Sequence, residues 1–282
     1  MTFVVLFVLG IVIGSFLNVV SLRYNGAHFV FDPKVIGGRS RCSHCGATLR
    51  WFELVPLVSF LVQGGRCRRC KAHLSAQYPI VELVSGLIFV AVPLRIAAFV
   101  VGSPAWFLPA IWVLAFLILL LASAIDIRTG IIPDELNVGL GVLAIMLGVF
   151  LALSRGGNGS FMGPLGAMIS LSDNVWVGRI SGAVFGFIFF EFLLLVTRHR
   201  GIGMGDVKLA LPLGLLFGWP DILPVVGFAF VCGALVGICL IFLKKKTMQG
   251  ALPFGPFLAL GAAFVFFFGA PVAQWYLHLM GL

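Results

Sequence analysis

The sequence predicts an all-α polytopic membrane protein with about eight transmembrane helices and a small zinc-ribbon-like loop domain after the first helix. Three observations support this fold class: 61% of the 282 residues are hydrophobic, only 10% are charged, and the mean hydropathy is +1.13. Soluble domains carry about a quarter charged residues. Apolar stretches of about 20 residues recur along the chain, and this length crosses a bilayer as one helix.

The predicted spans cover residues 2–22, 79–100, 106–126, 132–153, 177–197, 206–219, 221–243 and 252–279. The sixth span is short for a full crossing and contains Pro212, so we expect a kink or a break there. The first span lacks a preceding basic segment, and its charged residues follow the apolar run. We therefore expect it to be retained as a helix rather than removed as a signal peptide.

The basic residues predict how the chain is oriented in the membrane. Residues 23–77 hold nine of the 19 Lys and Arg, and only Asp32 and Glu53 oppose them. Excess Lys and Arg mark cytoplasmic loops. With both termini outside, sixteen of the 19 lie on the cytoplasmic side. This topology explains the net charge of +9, so we expect contact with lipid and no nucleic-acid partner.

The loop at residues 23–77 contains two Cys-x-x-Cys motifs, "CSHC" at 42–45 and "CRRC" at 67–70. Motifs about 20 residues apart favour a zinc site to which each contributes two thiolates. The alternative is a pair of disulfides, which a reducing cytoplasm disfavours. Four sulfur ligands leave no open position, so the site is predicted to be structural. A loop of roughly fifty residues buries little core, and the metal is expected to hold its shape.

Two aspartates, Asp126 and Asp206, lie at the predicted cytoplasmic ends of the third and sixth spans. Asp206 has an alternative interpretation as a helix N-cap. Asp126 follows an apolar run, which is the unfavourable end of a helix for an anion, and an ionisable group there indicates function. Two carboxylates at matched depth suggest a catalytic dyad that shares a proton, as in aspartic proteases.

Four further residues are predicted to support this site. Gly203 and Gly205 would let an extended peptide backbone approach the attacking water. Lys208 would either tune the dyad or extend to the membrane interface. Asp134 fits the first turn of a helix that begins after Pro133.

The motifs together resemble those of bacterial type IV prepilin peptidases, which are Gly-x-Gly-Asp intramembrane aspartic proteases. The matching segments are "GSFLNVV" at 14–20, both cysteine motifs, "WFELVPLVSFL" at 51–61, "YPIVEL" at 78–83, "IDIRTGIIPD" at 125–134, "GMGDVKLA" at 203–210 and "PFGPFLALGA" at 253–262. Ser43 stands where the family pattern suggests proline, and Gln77 where it suggests arginine.

The resemblance implies specific residues and activities. The family's catalytic aspartates correspond to Asp126 and Asp206. Its zinc ligands correspond to Cys42, Cys45, Cys67 and Cys70. Family members cut the basic leader from prepilins and type II secretion pseudopilins at the cytoplasmic side of the bacterial inner membrane. They then methylate the new N-terminus from S-adenosylmethionine.

The resemblance also implies a division of the chain into three parts. We expect residues 1–22 to form the first transmembrane helix and residues 23–77 to form the zinc-binding loop domain, which is the expected methyltransferase part. Residues 78–282 would form the intramembrane peptidase domain. Glu53 and Glu82 would either hold the loop against the helices or orient the substrate amine.

Other functions remain open at this point. A proton-coupled transporter also uses membrane aspartates, although the sequence has a zinc-ribbon loop and no evident repeat. A membrane scaffold for pilus assembly would need the zinc loop and no aspartates. A peptidase without methyl transfer is the nearer alternative. No Gly-x-Gly-x-x-Gly motif marks a pocket for the methyl donor, and the sequence carries no signal for an oligomeric state.

Overall fold

The computed structural model describes residues 1–97, 106–154, 159–197, 203–244 and 252–281. These segments form helices and connecting turns, and the strand-like pairings among them are two isolated bridges, Arg41 with Thr48 and Arg66 with His73. Five basic residues that entered the orientation argument lie outside these segments, as does the end of the span predicted to reach residue 100. The five are Arg155, Arg198, Arg200, Lys245 and Lys246.

The chain divides into two compact units, Met1–Thr129 and Gly130–Leu282. The first unit contains α1 (Thr2–Arg23), α2 (Pro33–Ile36), a 3₁₀ turn (Trp51–Glu53), α3 (Val58–Val62), α4 (Gln77–Ala97) and α5 (Phe107–Thr129). The second unit contains α6 (Asp134–Leu153), α7 (Pro164–Ile169), α8 (Val175–Val196), α9 (Met204–Phe217), α10 (Ile222–Phe242) and α11 (Gly255–Met280).

The predicted multi-pass helical fold is confirmed. Within the described residues, seven helices are long and apolar enough to cross a membrane: α1, α4, α5, α6, α8, α10 and α11. The eighth predicted span corresponds to α9, which has 14 residues and is therefore about 21 Å long. The hydrocarbon core is about 30 Å thick. Pro212 lies inside α9 without interrupting it.

Small residues allow α1 and α4 to pack at very short range. A Cβ atom on Gly10 would lie 2.8 Å from the Cα of Gly86, and one on Gly14 would lie 2.6 Å from the Cβ of Ser85. The Ser85 hydroxyl donates a hydrogen bond of 2.7 Å to the carbonyl of Gly10. Close backbone approach and interhelical hydrogen bonds replace the hydrophobic effect, which does not drive helix association in lipid.

Polar side chains hold the C-terminal end of α1. The amide of Gln77 donates to Asn18 Oδ1 at 2.9 Å and to Ser21 Oγ at 3.0 Å. The guanidinium of Arg128 donates to the carbonyls of Leu22 and Tyr24. The Arg128 contacts satisfy backbone carbonyls that the end of a helix leaves without partners. Gln77, in the place where arginine was expected, therefore joins α4 to α1.

The same close packing joins α8 to α9 in the second unit. A Cβ atom on Gly214 would lie 2.2 Å from the carbonyl oxygen of Gly182, and one on Gly186 would lie 2.8 Å from that of Ala210. Arg179, which is 5% exposed, donates from Nη1 to the carbonyls of Leu215 at 2.8 Å and Leu216 at 3.0 Å. It thereby caps the C-terminal turn of α9.

Asp221 ties the connection before α7 to the start of α10. This residue is 1% exposed and directly precedes α10. Its Oδ1 accepts a hydrogen bond from the Ser160 hydroxyl at 2.6 Å, and its Oδ2 accepts one from the Phe161 backbone N–H at 2.6 Å. Nothing in the sequence marks this carboxylate as buried, because an Asp next to a Pro in a short connection is typical of an exposed turn.

Candidate functional site

The four loop cysteines converge on one point. The sulfur atoms of Cys42, Cys45, Cys67 and Cys70 all lie within 4.8 Å of one another, and those of Cys42 and Cys70 are 3.8 Å apart. Tetrahedral sulfurs bound to zinc at about 2.3 Å lie roughly 3.8 Å from one another. A disulfide would need about 2.05 Å. The four thiols therefore fit the ligand set of one tetrahedral metal ion.

The two cysteine motifs fold into the same backbone turn. In the first turn, the N–H of Cys42 donates to the carbonyl of Ala47, and the N–H of Gly46 donates to the carbonyl of Cys42. The second turn repeats both bonds with Cys67, Ala72 and Lys71. All four distances are 2.9 Å. Equivalent turns present equivalent pairs of sulfurs, which is the arrangement that the spacing predicted.

Backbone hydrogen bonds also prepare one thiol to ionise. The N–H groups of Cys70 and then Arg69 lower the pKa of Cys67 to about 7. For Cys70, a backbone hydrogen bond from Ala72 lowers the pKa, but desolvation and the three neighbouring thiols raise it to about 11. Only thiolates bind metals, so Cys67 offers a ligand near neutral pH.

Asp206 lies in the first turn of the short helix α9. Gly203 is the N-cap residue, and Asp206 is the third residue of the helix, so the alternative prediction of Asp206 as the N-cap is wrong by three positions. Asp206 Oδ2 accepts a hydrogen bond from the Gly203 N–H at 3.2 Å. The side chain is 6% exposed. A carboxylate at this position is stabilised by the positive end of the helix dipole.

Asp126 lies at the C-terminal end of its helix, whereas Asp206 lies at the N-terminal end of α9. Helix α5 continues to Thr129, three residues beyond the predicted end of the third span. Asp126 is 4% exposed and lies in the last turn of α5. The carbonyl end of a helix disfavours an anion, so capping does not explain this carboxylate. Of the two predicted catalytic residues, Asp126 belongs to the first unit and Asp206 to the second.

The two glycines before Asp206 have different environments. The Cβ of an alanine at position 205 would lie 3.2 Å from the Cβ of Ile132, so Gly205 lets the connection before α6 lie against the start of α9. A Cβ at position 203 would meet only Asp206 Oδ2 and the Gly205 backbone, at 3.5 and 3.9 Å. Gly205 thus has a packing role in addition to the one predicted from the sequence.

Lys208 and Asp134 form an ion pair. Lys208 Nζ lies 2.9 Å from Oδ1 and 2.8 Å from Oδ2 of Asp134. Asp134 begins α6, as expected from the preceding Pro133. The pair joins the N-terminal parts of α6 and α9.

A cavity of about 920 Å³ lies within the first unit. Its wall includes one face of α1, the cysteine turns, and both glutamates whose roles the sequence left open, Glu53 and Glu82. Glu53 Oε2 accepts a hydrogen bond from the Arg50 N–H at 2.8 Å. Glu82 is 5% exposed, and its Oε2 accepts one from the Leu57 N–H at 2.7 Å. Glu82 therefore holds the loop segment between the two cysteine motifs against α4.

Comparisons with known proteins match both parts of the chain. Residues 8–96 match the bacterial peptidase A24 N-terminal domain, and residues 113–238 match the type IV leader peptidase family. A prepilin leader peptidase/N-methyltransferase of Burkholderia pseudomallei (strain 1026b) is 35% identical over 94% of this chain and 84% of its own length. The chain belongs to the type IV leader peptidase family.

Other members of the type IV leader peptidase family match over almost the whole chain. The protein of the same name from Aeromonas hydrophila is 32% identical over 98% of this chain and 93% of its own length. The one from Bacillus subtilis (strain 168) is 29% identical over 98% of both chains. No solved structure matches. Family membership makes the chain a multi-pass bacterial membrane enzyme, a peptidase of a class whose members are also N-methyltransferases.

Proposed function

We propose that the chain cleaves the basic leader peptide of type IV prepilins and type II secretion pseudopilins, with Asp126 and Asp206 as the catalytic dyad. The reaction takes place at the cytoplasmic face of the bacterial inner membrane. One observation carries this proposal: the leader peptidase match at residues 113–238 includes both buried aspartates. The excess of Lys and Arg in residues 23–77 supports the orientation.

The two carboxylates divide the work of peptide hydrolysis. The ionised member takes a proton from water, and the protonated member donates one to the carbonyl of the scissile bond. Asp206, at the N-terminal end of α9, is placed to be ionised. Gly203 adds no side chain beside it, which leaves room for an extended substrate backbone. The ion pair of Lys208 with Asp134 holds the N-terminal parts of α6 and α9 together without entering the chemistry.

We further propose that the new N-terminus is methylated, and that residues 23–77 carry this second activity. S-adenosylmethionine supplies the methyl group. Zinc bound by Cys42, Cys45, Cys67 and Cys70 is structural, since four thiolates leave no position for a substrate. On this proposal residues 1–22 form the first transmembrane helix, and residues 78–282 form the peptidase domain. The relatives' names support both activities.

Mass analysis of a co-expressed prepilin tests the proposal directly. The purified substrate should begin at the residue after the leader and carry one added methyl group on its N-terminus. Recovery of only unprocessed prepilin would refute the proposed peptidase activity. A product that is cleaved but not methylated would support the alternative, a peptidase without methyl transfer. A proton-coupled transporter, the other alternative, is not favoured by membership in a peptidase family.

A further inference from the structure

The cavity in the first unit extends along one face of α1, from the cysteine turns toward the middle of this apolar helix. Ser15, Val19 and Leu22 line it from α1. Their spacing places them on a single helix face, and seven residues span about 10 Å. The cavity therefore reaches from the loop domain down to the level of apolar side chains, where the N-terminal end of a helical membrane substrate would lie.

The volume and lining of the cavity suit a small cofactor together with one substrate residue. About 920 Å³ is near the upper limit of small-molecule sites, which span roughly 300–1,000 Å³. Two aromatic rings, Phe60 and Tyr78, line it. The methyl group of S-adenosylmethionine is bound to a positively charged sulfur, a sulfonium. Aromatic faces attract cations, and they suit a sulfonium because it has no hydrogen to donate to a hydrogen bond.

Glu82 presents a carboxylate to this space in a fixed orientation. Its Oε2 is held by the Leu57 N–H at 2.7 Å, while among the residues that the structure describes Oε1 has no hydrogen-bond partner. Leu57 has φ of 60°, a left-handed conformation that is rare for a side chain of this kind. The loop thus adopts a strained backbone at the residue that orients Glu82.

We infer that this cavity is the methyl-transfer site and that Glu82 is the carboxylate that receives the substrate's ammonium group. The inference rests on the proposed methyl transfer. Glu82 accepts a proton from the ammonium, and the neutral amine nitrogen then forms a bond to the methyl carbon. The bond from carbon to sulfur breaks, and its electron pair stays on sulfur. The products are a methylated ammonium, a neutral thioether and a proton released from Glu82.

Other charged and titratable groups share the cavity and set its electrostatics. They are Arg23, Lys34, Arg39, Arg41, Cys42, His44, Glu53, Cys67, His73, Tyr78 and Arg128. Of the cations, Arg23 donates to carbonyls of residues 35–39, and Arg128 donates to Leu22 and Tyr24. Among the residues that the structure describes, the lining contains two carboxylates, Glu53 and Glu82, and Glu82 is the buried one.

Glu82→Gln tests the role of the carboxylate. The amide oxygen can still accept from the Leu57 N–H, so the loop keeps its anchor while the proton acceptor is lost. At neutral pH we expect methylation of a synthetic peptide that begins at the mature residue to fall about 10²- to 10⁴-fold, the usual contribution of a general base. Methylation should recover as the pH rises above about 8, where an α-amine is neutral without help. Glu191→Gln, the same change in α8 of the other unit, should leave rate and pH profile unchanged.

A second variant tests occupancy without relying on turnover. Val19→Trp fills the cavity from α1 and should weaken binding of S-adenosylhomocysteine to the purified zinc-loaded protein by at least about tenfold. Titration calorimetry in detergent measures this affinity. Val12→Trp is the matched control, because Val12 lies on the same helix and is 51% exposed. The Val12→Trp variant should bind S-adenosylhomocysteine with the same affinity as the unmodified protein.

The outcomes separate this inference from the proposed function. If the unmodified protein cleaves prepilin and never methylates it, the proposed methyl transfer fails and the cavity assignment fails with it. If it methylates, but Glu82→Gln retains the original rate and pH profile, or Val19→Trp binds S-adenosylhomocysteine normally, only the cavity assignment is wrong. Should Val19→Trp fail to fold, the isosteric Glu82→Gln decides.

Discussion

The ammonium of Lys208 lies within 2.9 Å of both carboxylate oxygens of Asp134. Lys208 follows the proposed catalytic Asp206 by two residues in the sequence. The side chains are 48% and 65% exposed, and exposed pairs contribute at most about 1 kcal/mol. We therefore predict that Asp134→Asn lowers the free energy of unfolding by no more than about 1 kcal/mol and leaves most of the cleavage rate. A double-mutant cycle with Lys208→Met, followed by thermal unfolding in detergent, measures the coupling. A loss of cleavage as large as that of an Asp206 variant would place Asp134 in the catalytic site.

The proposed dyad predicts a much larger effect at two positions. Asp126→Asn and Asp206→Asn should each reduce cleavage by several orders of magnitude, because an amide cannot share the proton. Asp206→Asn keeps an oxygen that can accept from the Gly203 N–H, so α9 should remain folded. Gel analysis of a synthetic prepilin in detergent measures cleavage, and circular dichroism checks the fold. Robust cleavage by either variant would refute the aspartate mechanism, and Asp134→Asn is the control.

The dyad and the methyl-transfer site should also be separable. Asp206→Asn should still methylate a peptide that already begins at the mature residue, because that peptide needs no cleavage. Mass spectrometry of the peptide detects the added methyl group. Failure to methylate it would indicate that both reactions use one site.

The cysteine cluster predicts that metal and methylation are lost together. Cys42→Ser with Cys45→Ser should release the zinc and abolish methylation before cleavage declines, because the loop has little core of its own. Elemental analysis measures the zinc, and mass spectrometry measures both products. Cys232→Ser with Cys239→Ser is the matched control, since both cysteines lie in α10 and outside the cluster. Normal methylation by zinc-free protein would show that the loop is not the methyltransferase part.

The pKa of Cys67 predicts how zinc binding depends on pH. Because this pKa is lowered to about 7, Cys67 is already a thiolate above that pH, and zinc displaces no proton from it. Below about 7 the thiol must ionise on binding, so zinc affinity should fall more steeply as the pH decreases. Titration against a competing chelator at several pH values gives the slope. An equal slope on both sides of pH 7 would contradict the lowered pKa.

The close contact of α8 with α9 predicts a large effect for one added methyl group. Gly214→Ala would place a Cβ 2.2 Å from a backbone oxygen of Gly182, which a side-chain rotation cannot relieve. We expect the variant to lose about 1–3 kcal/mol or more, measured as a lower unfolding temperature in detergent. At Gly227 in α10 a Cβ meets nothing within 4 Å, so Gly227→Ala should be neutral or slightly stabilising. Equal effects at the two positions would argue against this packing.

The orientation predicts the outcome of reporter fusions. A phosphatase fused in the 154–176 segment should be active, since that segment is expected outside, and one fused after Arg200 should be silent. The reverse result would place Asp126 and Asp206 at the periplasmic face and overturn the proposed site.

The sequence by itself determined the membrane class, the approximate bounds of seven of the eight predicted spans, the grouping of four cysteines and the family. These properties depend on local composition and on short spacings. The length of an apolar run decides whether a helix can span the membrane, and two residues between a pair of cysteines allow both sulfurs to bind one metal ion. Thus α6 and α11 lie within three residues of the spans predicted at 132–153 and 252–279. The end of α5 was placed three residues short, because Asp126 and Arg128 interrupt the apolar run without interrupting the helix.

Only the tertiary structure decided the partners of individual polar groups. These contacts join residues that are far apart in the sequence. Lys208 pairs with Asp134, Glu82 accepts a hydrogen bond from Leu57, and Arg128 and Arg179 donate to backbone carbonyls of other helices. Periodicity and spacing contain no information on such contacts, since they depend on which helix faces meet. The cavity along α1 is likewise not predictable from the sequence, because a cavity is produced by the packing of several elements and not by any single segment.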